Sequence, residues 1–140
     1  MARASDFRTG RHVVHQLHAH LVLVPKYRRK VITERVFQVL LEALRGVCAD
    51  FECELCEFGY EPDHVHLLVS FPPKVALSAL VNSLKGVSAR RLRAAQLPEV
   101  TAKLWGSHFW SPSYCAVSCG GAPLAIVKQY VERQRGSSPP

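Results

Sequence analysis

The sequence predicts an α+β domain in which a ferredoxin-like, split βαβ antiparallel sheet is followed by an appended C-terminal helix. Two observations indicate this class. Stretches of period-two and helical hydrophobic spacing follow one another in the order strand, helix, strand, strand, helix, strand, helix. The length of 140 residues, 48% of them hydrophobic, suits one domain with a buried core. We expect a single domain over residues 1–135 and a disordered tail, "GSSPP", over residues 136–140.

The first strand and the first helix are predicted from a change of period. "VVHQLHAHLVLV", residues 13–24, alternates well enough for a long strand, and the basic stretch "KYRRK", residues 26–30, ends it. Thr33 is suited to cap the helix that follows. Apolar residues then recur at helical spacing, at Val36, Val39, Leu40 and Leu44.

A hairpin and two further helices complete the predicted order. Strands at about 52–60 and 64–71 are joined by a turn that contains Pro62 and Asp63. The remaining elements are an amphipathic helix over residues 75–93, a fourth strand over residues 108–118 that Pro112 interrupts, and a final helix that begins at Pro123. Because such a sheet carries its helices on one face, its other face is open to a functional role.

Charge and composition favour a nucleic-acid partner. Eighteen Lys and Arg against eleven Asp and Glu give a net charge of +7 and a pI near 9.5. No apolar run approaches the length of a membrane span, and the N-terminus lacks a secretory signal. We therefore expect a cytoplasmic protein without a membrane partner, whose five cysteines are reduced thiols.

Two clusters of cations are candidate DNA contacts. "KYRRK" interleaves one aromatic residue with four cations, and "ARRLR" begins a second cluster on the predicted second helix. Such clusters bind phosphates, and the tyrosine can stack on an unpaired base, although solvated basic surface is an equally good interpretation of either cluster alone. The predicted DNA-binding residues are Lys26, Tyr27, Arg28, Arg29, Lys30, Arg90 and Arg91.

Two histidines interrupt the apolar run "EPDHVHLLVSF", residues 61–71. On a strand, His64 and His66 share one face with Cα atoms roughly 6 to 7 Å apart, which is close enough for both imidazoles to reach one divalent ion. A pair of hydrogen-bonded strand histidines is the competing interpretation. On the final helix, Tyr130 and Gln134 lie four residues apart and project together. A tyrosine at this spacing is more often a core residue than a catalyst, but the polar neighbours of Tyr130 are unusual for a core tyrosine.

Four stretches together carry a family resemblance that spans nearly the whole chain. They are "HLVLVPKYRRKV", "PDHVHLLV", "FWSPSYCAVS" and "QYVERQ". The sequence resembles the single-tyrosine HUH transposases of the insertion-sequence 200/605 group, where HUH denotes a hydrophobic residue between two histidines. Here those residues are His64, Val65 and His66. A second His-x-His pair, His18 and His20, is a poorer match because its middle residue is alanine.

The resemblance implies both a chemistry and a site. Tyr130 would be the nucleophile that cleaves single-stranded DNA and retains it as a 5′-phosphotyrosine, which a DNA 3′-hydroxyl can later displace. The implied ligands of an assisting Mg²⁺ or Mn²⁺ ion are His64, His66 and Gln134. Asp63 is suited either to orient a ligand histidine or to cap the hairpin turn.

The resemblance also implies partners. These are single-stranded DNA with hairpins at the ends of the mobile element and a second copy of the chain, with active sites shared between the subunits in some relatives. Gly120 and Gly121 are suited to act as the hinge of such an exchange.

Three alternatives stay open from the sequence. The first is a related HUH nuclease that processes chromosomal hairpin repeats. The second is a non-catalytic single-stranded nucleic-acid-binding module that stacks bases on Tyr27, Phe109 and Trp110. The third, a replication-initiator nuclease, is disfavoured because the chain is short and has no helicase region.

Overall fold

The computed structural model describes residues 8–9, 14–104, 108–118 and 130–133. The strands are β1 (Arg8–Thr9), β2 (Val14–His15), β3 (His18–Leu23), β4 (Glu54–Glu61), β5 (His64–Ser70) and β6 (Cys115–Ser118). The helices are α1 (Glu34–Asp50), α2 (Leu77–Ala95) and α3 (Pro98–Leu104), with a short 3-10 helix over Lys26–Arg28. Residues 130–133 are helical.

Four strands form one antiparallel sheet in the order β4-β5-β3-β6. In this order the first strand of the predicted pattern, β3, lies between the third and the fourth, which is the ferredoxin-like arrangement. The predicted α+β class with a ferredoxin-like antiparallel sheet is therefore confirmed, while most of the appended C-terminal helix lies outside the described residues. The predicted hairpin is also present, with Pro62 and Asp63 forming the turn between β4 and β5.

Alternation along the central strands gives the sheet two different faces. Leu21 of β3 and Leu67 of β5 are opposite each other and buried in the core with α1 and α2. The next pair, Val22 and His66, points the other way, because directly opposed residues of an antiparallel pair share a face. This second face, which carries the histidines, is called the open face below.

The N-terminus of α1 is capped by Thr33 as predicted. It also contacts α3, a helix that the sequence did not predict. The Thr33 side chain accepts a hydrogen bond from the Val36 amide at 3.3 Å. The Thr33 hydroxyl donates to the Glu99 carboxylate at 2.6 Å, and Arg35 donates two further hydrogen bonds to it at 2.7 Å. These contacts attach α3 to α1. At seven residues, α3 is too short to show a helical period in the sequence.

Two predicted strands are shorter than expected. The predicted strand over residues 13–24 is divided, because Val14 and His15 pair with β1 instead of continuing β3. The predicted strand over residues 108–118 is regular only in β6.

The segment before β6 is occupied by other contacts. Trp110 forms an isolated bridge with Pro25, and Pro112 has no amide proton for a ladder. The carbonyls of Ser111 and Ser113 accept hydrogen bonds from the Lys85 ammonium at 2.8 and 2.9 Å. These contacts replace the strand pairing that the sequence predicted.

Several sequence predictions fall beyond the described residues. They concern Gln134, Gly120, Gly121, the rest of the final helix and the tail over residues 136–140. Among the residues that are described, no helix is long and apolar enough to cross a membrane. In the same residues Cys48, Cys53 and Cys115 are free thiols.

Candidate active site on the open face of the sheet

The two histidines of β5 lie side by side on the open face. The ring centroids of His64 and His66 are 6.1 Å apart. A ring nitrogen that binds a metal at about 2.1 Å places the ring centroid about 3.3 Å from the ion, so two ligand rings lie about 4.6 to 6.6 Å apart, depending on the angle between them. The pair therefore fits two ligands of one divalent ion. In the described part of the chain, no three His, Cys, Asp or Glu residues are grouped as a metal site.

Asp63 fixes the direction of the His64 ring. Its Oδ1 lies 2.9 Å from His64 Nδ1, and both side chains are largely buried, at 13% and 14% exposure. Since a carboxylate only accepts, Nδ1 carries the proton, and in the neutral ring Nε2 keeps the lone pair that a metal needs. Of the two interpretations that the sequence left open for Asp63, the structure shows the hydrogen bond to the histidine.

Gly59 provides the space that the His66 ring occupies. It lies on β4 directly opposite His66, and a Cβ atom at Gly59 would come within 2.6 Å of both Cε1 and Nε2 of that ring. Any side chain at this position would displace the imidazole. Gly59 was not predicted as a site residue from the sequence, although a glycine inside a strand is itself a signal of close approach by another group.

The surroundings of His66 favour its neutral form. Partial desolvation lowers the pKa of His66 below its ordinary value, the neighbouring His64 and His20 lower it further, and Glu61 and Glu57 oppose the shift. A neutral imidazole is the form that binds a metal ion.

Tyr130 is half-buried, and its phenol has a definite partner. The Tyr130 Oη lies 2.9 Å from the Ser113 Oγ. Burial raises the pKa of Tyr130 above its ordinary value, with Cys115 adding to the shift and the Ser113 hydrogen bond opposing it. Lys85 supports this contact from α2, since it donates to the Ser113 carbonyl. Neither Ser113 nor Lys85 was singled out in the sequence, because no local pattern connects either residue with Tyr130.

Arg28 joins the segment that carries Tyr130 to the histidines. Its Nε lies 2.8 Å from the Asp63 Oδ2, and its Nη1 donates to the Val131 carbonyl at 3.3 Å. A continuous series of contacts therefore runs from His64 through Asp63 and Arg28 to the residue next to Tyr130. The sequence predicted Arg28 as a DNA contact, but its side chain is only 11% exposed.

The other predicted basic residues are spread over two surfaces. Near the 3-10 helix, the Lys26 ammonium lies 5.4 Å and the Arg29 guanidinium 6.0 Å from the centroid of the Tyr27 ring, which is 38% exposed. On α2, Arg90 and Arg91 are both exposed. Arg91 pairs with Glu42 of α1 at 3.8 Å and thus belongs to the helical layer, not to the open face.

A cavity of about 360 Å³ lies between α2 and the segment that precedes β6. Its described lining holds basic groups and no carboxylate, together with the aromatic residues Phe109 and Trp110. The basic residues of the lining are Lys26, Lys85, Arg93 and His108. A cavity lined by basic and aromatic side chains suits an anion that carries an aromatic ring.

A split βαβ sheet, with a His-x-His pair on a central strand and a tyrosine-bearing helical segment tied to it, matches what the resemblance to DNA transposases led us to expect. Comparison with known proteins identifies the family. The family model described as "Transposase IS200 like" matches residues 13–134, and the chain belongs to this family.

Individual relatives agree with this assignment. The chain is 39% identical over 129 residues to the ISDra2 transposase TnpA of Deinococcus radiodurans, a match that covers 92% of this chain and 91% of the relative. It is 30% identical over 115 residues to the transposase for insertion sequence element IS200 of Salmonella typhimurium, which covers 82% and 74% of the two chains. The protein is thus a transposase of the IS200-like family.

Solved structures agree on the fold. A crystal structure of a Deinococcus radiodurans protein assigned as a transposase matches with a TM-score of 0.83 and 35% identity, over 91% of this chain and 97% of that one. A REP-associated tyrosine transposase, solved bound to a REP hairpin, matches with a TM-score of 0.56 over 89% of this chain and 68% of that one. At 16% identity the second match supports the fold alone.

Proposed function

We propose that this transposase cleaves and rejoins single-stranded DNA at the ends of an insertion sequence, through a 5′-phosphotyrosine formed on Tyr130. The observation that carries the proposal is the series of contacts from His64 through Asp63 and Arg28 to Val131. It connects a pair of imidazoles with a half-buried phenol, two groups whose chemistry suits this reaction.

The proposed cleavage exchanges one phosphate ester for another. The Tyr130 Oη forms a bond to the phosphorus as the bond to the DNA 3′-oxygen breaks, and the phenolic proton is transferred through solvent to the departing 3′-oxygen. Rejoining is the reverse, with a DNA 3′-hydroxyl as the nucleophile. The hydrogen bond between Tyr130 and Ser113 supports a fixed direction of attack, because it restrains the attacking oxygen.

His64 and His66 suit the role of metal ligands, and the family resemblance adds Gln134 as the third. A bound Mg²⁺ or Mn²⁺ ion would offset the negative charge that develops on the phosphate oxygens. For this role the hydrogen bond to Asp63 fixes the orientation of the His64 ring, and the lowered pKa of His66 favours the neutral form of that ring.

We propose hairpin-bearing single-stranded DNA as the substrate. The net charge of +7, the exposed Tyr27 ring between Lys26 and Arg29, and the basic cavity beside α2 all favour a flexible polyanion with unpaired bases. Identities of 39% and 30% to insertion-sequence transposases favour mobilisation of an element over processing of chromosomal repeats.

We also propose that the protein acts as a homodimer. The contacts of Tyr130 with Ser113, and of Val131 with Arg28, are made within one chain, and a partner's segment with the same residues could make them instead. A mixed dimer of Tyr130→Phe with His64→Ala/His66→Ala distinguishes the two cases. Cleavage by the mixed dimer indicates shared sites, and its absence from a verified mixed dimer indicates sites within one chain.

The proposed reaction is tested with a labelled hairpin-bearing single strand and Mg²⁺. We expect a covalent protein–DNA adduct that survives denaturation, and no adduct with Tyr130→Phe, which loses only the attacking oxygen. Tyr60→Phe is the matched control, because Tyr60 stacks on Phe37 at 4.4 Å on the helical side of the sheet. Adduct formation by Tyr130→Phe at the wild-type rate would exclude Tyr130 as the nucleophile.

A further inference from the structure

Arg28 differs from the basic residues on either side of it. Lys26 and Arg29 lie over the exposed Tyr27 ring, whereas the Arg28 guanidinium is directed into the protein. Both oxygens of Asp63 are used, Oδ1 by His64 and Oδ2 by Arg28. With 11% and 13% of their side chains exposed, Arg28 and Asp63 form a largely buried ion pair.

The backbone at Tyr27 and Arg28 adopts a strained conformation that accompanies the inward direction of the Arg28 side chain. Tyr27 and Arg28 have φ angles of 62° and 53°, in the left-handed region that L side chains rarely adopt. Two backbone hydrogen bonds fix the turn on both sides, from the Lys26 amide to the Phe109 carbonyl at 2.8 Å and from the Ile32 amide to the Pro62 carbonyl at 3.0 Å. Strain of this kind persists only where the surrounding structure holds it, and it is common at functional sites.

We propose that Arg28 is a positioning residue that couples the histidine pair to the segment carrying the nucleophile, and that it does not serve as a phosphate contact. This inference rests on the proposed function. The planar guanidinium holds the Asp63 carboxylate with one nitrogen and the Val131 carbonyl with another, so the His64 ring and the 130–133 segment keep a fixed relation.

Removal of Arg28 should disturb both ends of this connection. Asp63 would be left as a buried carboxylate without its cation and would move toward water. The His64 ring would then lose the hydrogen bond that fixes its orientation. Residues 130–133 would lose the donor that holds the Val131 carbonyl. Lysine at position 28 keeps the positive charge but has no planar fork with which to hold two partners in fixed directions.

The experiment compares Arg28→Ala and Arg28→Lys with the wild type in three measurements. These are the single-turnover cleavage rate at saturating hairpin DNA, the Mn²⁺ affinity of the DNA-free protein, and the salt dependence of DNA binding. We expect both variants to lose about 10- to 100-fold in cleavage rate and to bind Mn²⁺ more weakly, as when a partner of a ligand is removed. The slope of binding against salt should stay that of the wild type, because no phosphate contact is lost.

The opposite pattern would overturn the inference. If Arg28→Lys cleaves and binds Mn²⁺ like the wild type, positive charge alone is sufficient and the coupling role is wrong. If Arg28→Ala loses about one unit of salt slope and keeps its rate at saturation, Arg28 is a phosphate contact. Arg45→Ala is the control for loss of an arginine, because Arg45 lies over Phe58 on the helical side and should behave like the wild type.

Failure of the proposed function is distinguished by the metal measurement and by Tyr130→Phe. If Tyr130→Phe cleaves normally, the assigned nucleophile is wrong, while weaker Mn²⁺ binding by Arg28→Lys still supports the connection to His64. If Tyr130→Phe is inactive and both Arg28 variants are indistinguishable from the wild type, only the positioning role is rejected. Thermal unfolding of each variant identifies any that do not fold. If Arg28→Ala does not fold, the comparison rests on Arg28→Lys, which keeps the buried charge pair.

Discussion

The two faces of the central sheet are built from the same strands and carry different kinds of side chain. On β5, Val65, Leu67 and Val69 are buried against the helices, while His64 and His66, which alternate with them, lie on the open face. A shift of register by one residue would exchange these two sets of side chains. One alternating sequence therefore specifies both a buried core and the face that carries the histidines of the proposed site. Substitutions on adjacent residues should separate stability from activity.

The largest effect is expected on the open face. His64→Ala or His66→Ala removes a proposed metal ligand, so the metal-dependent cleavage rate should fall by more than about a hundredfold, with little change in stability. The check is cleavage in Mg²⁺ alongside urea unfolding. Normal cleavage by both variants would place the metal site elsewhere, with His18 and His20 of β3 the next residues to test.

The helical face should show the reverse separation. Leu67→Ala leaves a cavity in the core, and we expect it to lower the free energy of unfolding by about 2 to 5 kcal/mol. Cleavage per folded molecule should stay close to wild type below the unfolding transition. A Leu67→Ala protein that is fully stable but inactive would contradict the division of tasks between the faces.

Gly59→Ala sharpens the comparison on the open face. The added methyl group displaces the His66 ring, which can rotate away, so the fold should remain while Mn²⁺ affinity falls about tenfold or more. Gly46→Ala is the matched control, because Gly46 lies on α1 with no atom near its Cβ position. We expect this variant to be slightly more stable than the wild type, since alanine favours a helix over glycine. Equal Mn²⁺ affinity in the two variants would show that the ring does not need its observed position.

The smallest effect is expected in the contact between α1 and α3, away from both the core and the open face. Hydrogen bonds from Arg35 and Thr33 lower the pKa of Glu99 from 4.5 to about 2. A lowered carboxyl pKa contributes stability that is complete above about pH 4.5 and is lost as the pH falls toward 2. Glu99→Gln should therefore be slightly less stable than wild type at pH 7, and the difference should shrink toward pH 3. A difference that is constant over this range would exclude the charged carboxylate as its source.

The elements that the sequence predicted well are those with a local period. The alternation of β5 and the spacing of α1 and α2 are visible in single stretches, because burial of one face imposes them. The same local logic placed His64 and His66 on one face. For Tyr130, the family resemblance contributed what spacing alone did not.

The features that the sequence did not predict depend on contacts between distant segments. Lys85 reaches Ser111 and Ser113 across more than 25 positions, and Arg28 reaches Val131 across 103. No periodicity records such pairs. From the basic stretch around Arg28 we predicted exposed cations. In the structure, the left-handed turn at Tyr27 and Arg28 directs the Arg28 side chain inward.

The central claim is that the open face and the 130–133 segment form one reactive centre with Tyr130 as its nucleophile. The most direct test is to trap the covalent adduct on a hairpin-bearing single strand, digest it with protease and locate the modified residue by mass spectrometry. The account predicts a 5′-phosphate of the cleaved strand attached to Tyr130, and no attachment when His64 and His66 are replaced by alanine. Attachment to Tyr27 or Tyr114, or an unchanged adduct yield without the two histidines, would contradict it.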